Sequence, residues 1–380
     1  MGVVMLRSLF IYGDIGENFD ATSLPFIKRS GGIDARIAVL GLGGPSWEPY
    51  FNRVFRERWI RLGAQHIFSI TPDENMEVEQ NVYEDLFKCS GLLICGGDTR
   101  KYYKAYVSNA KMNNAINTLY RKGIPIAGVS AGALISTSPC TIWGSKVSTD
   151  QNEFIIRSSY DKTIQENELE TGNGLGLIKN CMVEPHFSEF GGFSRLIAAM
   201  QKTSAKLGIG CDEPICLEIT DETRVKIHGM GRAYYVINNT DDFTVKIFEP
   251  GQEFQLNRTL NGKVVSGQGN FSYWIETLSD YYESKTGMRF FPGTLNIQLD
   301  EPYDLPTDVI RLEKEEYGGT VSVSIQECSI FGRKAFILRT DGNASDIGDH
   351  PRTIVEVATD VKLRERYGLK DGDLVEVKLN

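Results

Sequence analysis

Residues 36–40, 66–70, 92–95 and 124–127 are short, nearly continuous apolar runs, and the stretches between them, such as 50–62 and 114–120, carry helical periodicity. Strands that are apolar throughout must be covered on both faces, and the intervening helices supply that cover. The first part of the chain is therefore expected to be an α/β domain on a doubly wound, mostly parallel sheet. Near residue 221 the pattern changes to short alternating segments, 224–228 and 244–248, which read as antiparallel strands ended by Pro250 and Gly251. A second block follows, rich in strands and turns, with one helix expected near residues 273–285. The boundary is placed so that residues 1–258 form one domain and residues 259–380 the other.

Several classes of protein are set aside by composition. No apolar run approaches the roughly 18 residues of a membrane helix. Residues 1–7 lack the basic and then apolar pattern of a secretory leader. A cytoplasmic protein that does not meet a membrane is the expectation. With 41 Lys+Arg against 50 Asp+Glu, the chain carries a net charge of −9 and shows no basic stripe, so no nucleic-acid partner is expected. Its seven cysteines show no Cys-x-x-Cys spacing and lie among apolar neighbours, as buried reduced thiols do.

Gly128-Val129-Ser130-Ala131-Gly132 stands between the strand ending near Ala127 and a helical run from Ala133. Small residues two before and two after the serine permit the tight strand-to-helix turn that lifts a nucleophilic hydroxyl above a sheet edge. The amide of Ala131 is then a natural donor to an oxyanion. A second donor is expected at the end of a neighbouring strand, at Gly97 in Gly96-Gly97-Asp98. A serine nucleophile also needs a base. His66 and His228 sit inside strand-like runs and are expected to be structural. His350 belongs to the other block and is expected at the surface. His186 follows Pro185, which ends a strand, and is the best candidate.

These residues resemble the peptidase E and cyanophycinase family of serine peptidases, which have a class I glutamine amidotransferase-like fold. The resemblance spans roughly residues 36–257 and includes the Gly96-Gly97-Asp98 turn, Gly128 to Ala133, Gly174-Leu175-Gly176-Leu177, His186-Phe187-Ser188 and residues 207–213. It implies Ser130 as nucleophile, His186 as general base, and Gly97 and Ala131 as oxyanion amides. Cyanophycinases carry Asp-Gln before the histidine and several arginines after it. Here the pair is Glu184-Pro185, only Arg195 remains of the arginines, and Thr99 replaces a glutamine, so cyanophycin is not the expected substrate. Where the family places its third triad member, residues 145–148 hold no carboxylate. Asp150 and Glu153 are the nearest acids; Asp150 is the candidate, and the position stays open.

In the second block, residues 264–270 lead from a strand into a glycine turn able to present N–H groups to phosphate. The terminal Gly-Lys-Ser/Thr of a Walker A loop is missing. Further on, Thr294 and Asn296, two apart in an extended segment, share one face and offer two neutral oxygens to a magnesium ion. On spacing alone, a Pro-Gly turn before an ordinary strand is the better account of these residues. Together with residues 354–358, 361–364 and 368–373, these segments resemble the CTP-dependent riboflavin kinases known mainly from archaea, which form a small cradle-loop β-barrel. The resemblance implies a nucleotide held by Gly267, Gln268, Gly269, Asn270, Phe271 and Ser272 and by Val361, Lys362, Leu363 and Arg364. It further implies Mg²⁺ on Thr294 and Asn296, and Glu356 against the flavin. Two departures stand out. Asn270-Phe271 follow Gly269 where the family has Glu-Gly, which leaves Phe271 able to crowd the phosphates. Gly348 stands where the family often has a threonine.

The chain is thus expected to be bifunctional. A serine hydrolase acting on a peptide or dipeptide would be joined to a kinase that phosphorylates riboflavin to FMN with CTP, with a homodimer as a possible assembly. Two alternatives stay open: a barrel that senses flavin or nucleotide without turnover, or an inactive hydrolase region beside a working kinase. The second block holds 14 basic and 20 acidic residues, so an anionic nucleotide would depend on local amides, Mg²⁺, Lys362 and Arg364.

Overall fold

Buried along its whole length, the strand Ser8–Tyr12 lies inside an eight-stranded sheet. On one side it pairs in parallel with Ile126–Val129, followed by Gly91–Ile94, Arg36–Leu40 and His66–Ile70, all parallel. On the other side Ile215–Thr220, Arg224–Gly229 and Glu253–Gln255 are added antiparallel. The apolar runs expected as buried strands are these parallel strands, with the last shifted from 124–127 to Ile126–Val129. These relations come from a computed structural model, which describes residues 6–379 except 17, 74, 76–77, 145–168, 240–241, 257–258, 268–270, 301 and 307–308.

The chain divides into two compact units, Met1–Leu256 and Asn257–Asn380. In the first, helices Phe19–Arg29, Gln80–Leu86 and Ala110–Arg121 alternate with the parallel strands. The helical stretch expected at 50–62 runs from Trp47 to Arg61 with a π-helical turn at Asn52–Arg56. Its buried Phe51, Phe55 and Trp59 recur every four residues and share ring contacts, with Phe55 and Trp59 also against Phe19. All seven cysteines are buried and free.

A separate four-stranded sheet orders Cys181–Pro185, Leu207–Cys211, Ala233–Asn238 and Phe243–Phe248. Its first two strands are parallel and in register, Pro185 opposite Cys211. Residues 186 and 212–213 therefore leave the sheet at the same edge.

In the second unit, Val323–Ile330, Arg333–Thr340, Ile354–Ala358, Leu295–Leu299, Thr259–Val265 and Leu374–Leu379 pair antiparallel in that order, and the last returns to the first. The six strands close into a barrel, which leaves no open edge among them. Alternating inward residues such as Val264, Ile297, Val355 and Val377 fill its core. The helix expected at 273–285 is two, Phe271–Thr277 and Ser279–Thr286, separated at the buried Leu278. Among the described residues no helix is long and apolar enough to cross a membrane.

Two candidate active sites

Ser130 stands at the end of the strand Ile126–Val129 with φ 50° and ψ −108°, a backbone conformation that L residues rarely hold. The glycines around it are steric necessities. A Cβ at Gly128 would lie 2.6 Å from the Gly132 carbonyl oxygen, one at Gly132 2.1 Å from that of Ile94, and one at Gly96 2.9 Å from Ser130 Cβ. Ala131 opens the helix Ala131–Ser136, so its amide comes directly after the serine. Gly97 follows Gly96 with φ +147°, a glycine conformation, and its amide lies on the neighbouring strand end.

His186 leaves the edge of the four-stranded sheet and is 7 % exposed, like Ser130. Its Nε2 is 2.9 Å from Ser130 Oγ, and its Nδ1 is 2.7 Å from Glu213 Oε1. Glu213 is carried past the end of the parallel strand beside that of His186, which is why two residues 27 apart in sequence meet. Its backbone N–H donates to Glu189 Oε1 at 3.1 Å, and neighbouring Asp212 accepts from the amides of Ser188 and Arg232. The acid loop is thereby fixed from both sides. Asp14, which follows the strand Ser8–Tyr12, brings a carboxylate oxygen within 4.8 Å of the ligand atoms of His186 and Glu213. A cleft of about 580 Å³, lined by Trp47, Tyr50, Arg53 and Tyr102 among others, reaches Gly96 and so adjoins the serine.

In the barrel, Asn296 and Glu356 are direct cross-strand partners, 5 % and 3 % exposed. Directly opposite side chains on one face stand about 5 Å apart at Cβ. Thr294 Oγ1 donates to Asn296 Oδ1 at 3.3 Å. A Cβ at Gly267 would lie 2.4 Å from Asn296 Nδ2, so the glycine turn rests directly on the asparagine. Glu356 accepts from Asn343 Nδ2 at 3.4 Å and faces His350 Nε2 at 3.9 Å. Burial pushes its carboxyl up to about 7, and Asp349 adds to that, against the opposing pull of Arg339 and Asn343. Arg364 donates to the Val265 carbonyl at 2.7 Å and to Asp371 at 2.6 Å, and Ser266 donates to the same carboxylate, tying the start of the glycine turn to the C-terminal segment.

Residues 49–227 match the family model described as Peptidase family S51. Residues 264–379 match the model CTP-dep_RFKase, described as domain of unknown function DUF120. The chain is a fusion of a peptidase S51-like region and a riboflavin kinase-like domain. Both families are enzyme families. The S51-like region is 25% identical over 237 residues to a cyanophycinase from Synechococcus elongatus, covering 61% of this chain and 69% of that protein. The kinase-like domain is 36% identical over 130 residues to the riboflavin kinase of Methanocella arvoryzae, covering 32% of this chain and 56% of that protein. The fold of the S51-like region is also that of a crystallised peptidase from an acI-B1 Actinobacterium, at TM-score 0.51 and 16% identity, covering 67% of this chain and 98% of that one.

In the S51-like region the structure brings Ser130 and His186 together and sets the Glu213 carboxylate against the other ring nitrogen of the histidine. Asp150 and Glu153 lie outside the described residues, and the carboxylate found at His186 Nδ1 is that of Glu213. A signal for Glu213 was present in the 207–213 segment, but only pairing of two distant strands reveals it. Arg195 donates to the fully buried Glu184 at 2.9 Å, so this remaining arginine is engaged inside the fold. His228 is structural as expected, 2.9 Å from Glu218.

In the kinase-like domain Gln268, Gly269 and Asn270 lie outside the described residues. Phe271 begins a helix and packs against the cluster of Ile275, Tyr282 and Phe336. Ser272 is exposed on the same helix. Val361 packs on the barrel core, Lys362 precedes the helix Leu363–Tyr367 and pairs with Glu365, and Leu363 is buried. His350, expected at the surface, is only 4 % exposed. The cause is the loop before it: Asn343 Oδ1 accepts from the His350 amide at 3.3 Å, and a Cβ at Gly348 would lie 2.0 Å from the same oxygen. Asn343 fills the space that a threonine at 348 would need.

Proposed function

We propose that the first unit is a serine hydrolase of peptide or amide bonds and the second a kinase that transfers the γ-phosphoryl group of CTP to riboflavin, giving FMN. The observation carrying the first half is the unbroken run from Glu213 through His186 to Ser130. Ser130 Oγ attacks the substrate carbonyl as His186 Nε2 takes its proton, and the imidazolium then delivers that proton to the leaving amine. Glu213 holds the imidazole in the required orientation and stabilises its charge. The amides of Ala131 and Gly97 receive the oxyanion. The buried Arg195–Glu184 pair supports a substrate other than cyanophycin.

For the kinase, the supporting observation is the alignment of Gly267, Asn296 and Glu356 across adjacent strands. The Thr294 and Asn296 oxygens, 3.3 Å apart, match the roughly 3 Å separation of neighbouring ligands around Mg²⁺ bound at about 2.1 Å. The donor set is neutral, which suits an ion that keeps most of its waters and meets nucleotide phosphates. Bound there, Mg²⁺ would neutralise phosphate charge. Gly267 lets the turn approach that pair, Arg364 braces the turn through Val265, and Glu356 faces the flavin.

Incubation of the full chain with riboflavin and either CTP or ATP, in Mg²⁺, tests the kinase. FMN from CTP, lost in Thr294→Ala, is expected; riboflavin binding without FMN would mark the barrel as a sensor. A fluorophosphonate probe should label Ser130 and lose its rate in His186→Ala. Equal labelling without His186 would remove the assigned base.

A further inference from the structure

His350 Nε2 is enclosed by protein, yet among the described residues it has no hydrogen-bond partner. A buried nitrogen left unsatisfied has lost its water without gaining a partner, and native interiors seldom leave one so. The imidazole is also expensively held. Its amide is tied to Asn343 Oδ1, the side chain of Asn343 is in turn bonded to Glu356, and Gly348 has to be glycine for this loop to close. Nε2 faces Glu356, at 3.9 Å from Oε1. That distance is too long for a direct hydrogen bond.

The gap has a definite chemistry. An atom placed about 2.8 Å from both Nε2 and Oε1 subtends roughly a right angle between them, which a hydroxyl oxygen accommodates. Such a hydroxyl donates its proton to the carboxylate and accepts from the imidazole N–H, satisfying both groups at once. An imide edge would instead require two separate atoms in a fixed plane. Glu356 also lies beside Asn296, so a hydroxyl held here is next to the phosphate side of the site.

We propose that His350 and Glu356 form a two-point clamp for one hydroxyl of the polyol chain of the kinase substrate, making His350 a substrate-binding residue. This inference rests on the kinase reading, and the test separates the two. Riboflavin affinity is measured on the full chain by quenching of flavin fluorescence, and KM is measured for riboflavin and CTP. In His350→Ala, riboflavin affinity should fall about tenfold while the KM for CTP stays unchanged, which also reports an intact barrel. His350→Gln, whose amide can still donate, should recover part of the loss. Riboflavin analogues lacking single side-chain hydroxyls locate the contact. One of them should bind the unmodified chain about tenfold more weakly than riboflavin, and should lose nothing further in His350→Ala. Equal riboflavin binding by the unmodified chain and both variants, or equal sensitivity of every analogue to the substitution, would overturn the clamp and leave the kinase standing. Absence of riboflavin binding by the unmodified chain would overturn the kinase reading itself.

Discussion

Glu213 Oε1 lies 2.7 Å from His186 Nδ1, so the histidine facing Ser130 is oriented by a carboxylate just past the end of the neighbouring parallel strand. Replacement of the acid in a serine triad lowers kcat by about 10⁴, through the wrong tautomer and an unstabilised imidazolium. Glu213→Gln should therefore lose hydrolase turnover on that scale while retaining its fold. Asp150→Asn should keep the turnover of the unmodified chain. Fluorophosphonate labelling rates for both variants provide the check, and a loss confined to Asp150→Asn would reassign the acid.

The elbow was readable in sequence because its chemistry is local. Gly128, Ser130 and Gly132 act within one turn, and four histidines left a short search for the base. The contact of Glu213 with His186 was not readable, because it depends on the register of Pro185 against Cys211, a relation between separate strands. The barrel shows the same division. Thr294 and Asn296 converge through their spacing of two, whereas the burial of His350 follows from Asn343 occupying the space beside Gly348. Strand positions followed from continuous apolar runs, but the break at Leu278 lay inside a run of helical appearance.

Gly267→Ala places a methyl group 2.4 Å from Asn296 Nδ2, a separation no unstrained contact allows. The glycine turn or the asparagine has to move, and displacement of a positioning group by about 1 Å can cost on the order of 10²-fold in rate. The KM for CTP should rise and kcat for FMN formation should fall, while riboflavin affinity by fluorescence quenching is kept. A variant with unchanged CTP kinetics would show that the turn does not carry the nucleotide.

Arg195→Met removes the guanidinium partner of Glu184, a carboxylate with no exposed surface. Breaking a buried pair from one side costs about 3–5 kcal/mol, whereas removing both charges is often close to neutral. The single variant should lower the urea midpoint of the first unit, and Glu184→Gln with Arg195→Met should recover most of it. Pulse proteolysis in urea, following peptides of that unit by mass spectrometry, reads both. If Arg195 instead served the substrate, the single variant would keep its stability and raise KM.

Glu356 gives the barrel a pH-dependent stability whose sign follows from burial. Its carboxyl is pushed up to about 7 in the folded chain, against an ordinary value of 4.5. Between those values the folded barrel binds more protons than the unfolded chain, so stability falls as pH rises. The stabilising proton is fully present in both states below the unfolded value and is lost from the folded state as pH passes 7. A shift of this size corresponds to on the order of 3 kcal/mol between pH 4 and pH 8. Glu356→Gln cannot ionise and should flatten that part of the profile, gaining stability relative to the unmodified chain at pH 8 but not at pH 4. The urea midpoint of barrel peptides across this range decides it, and parallel profiles for the two chains would mean that Glu356 is already charged at pH 5.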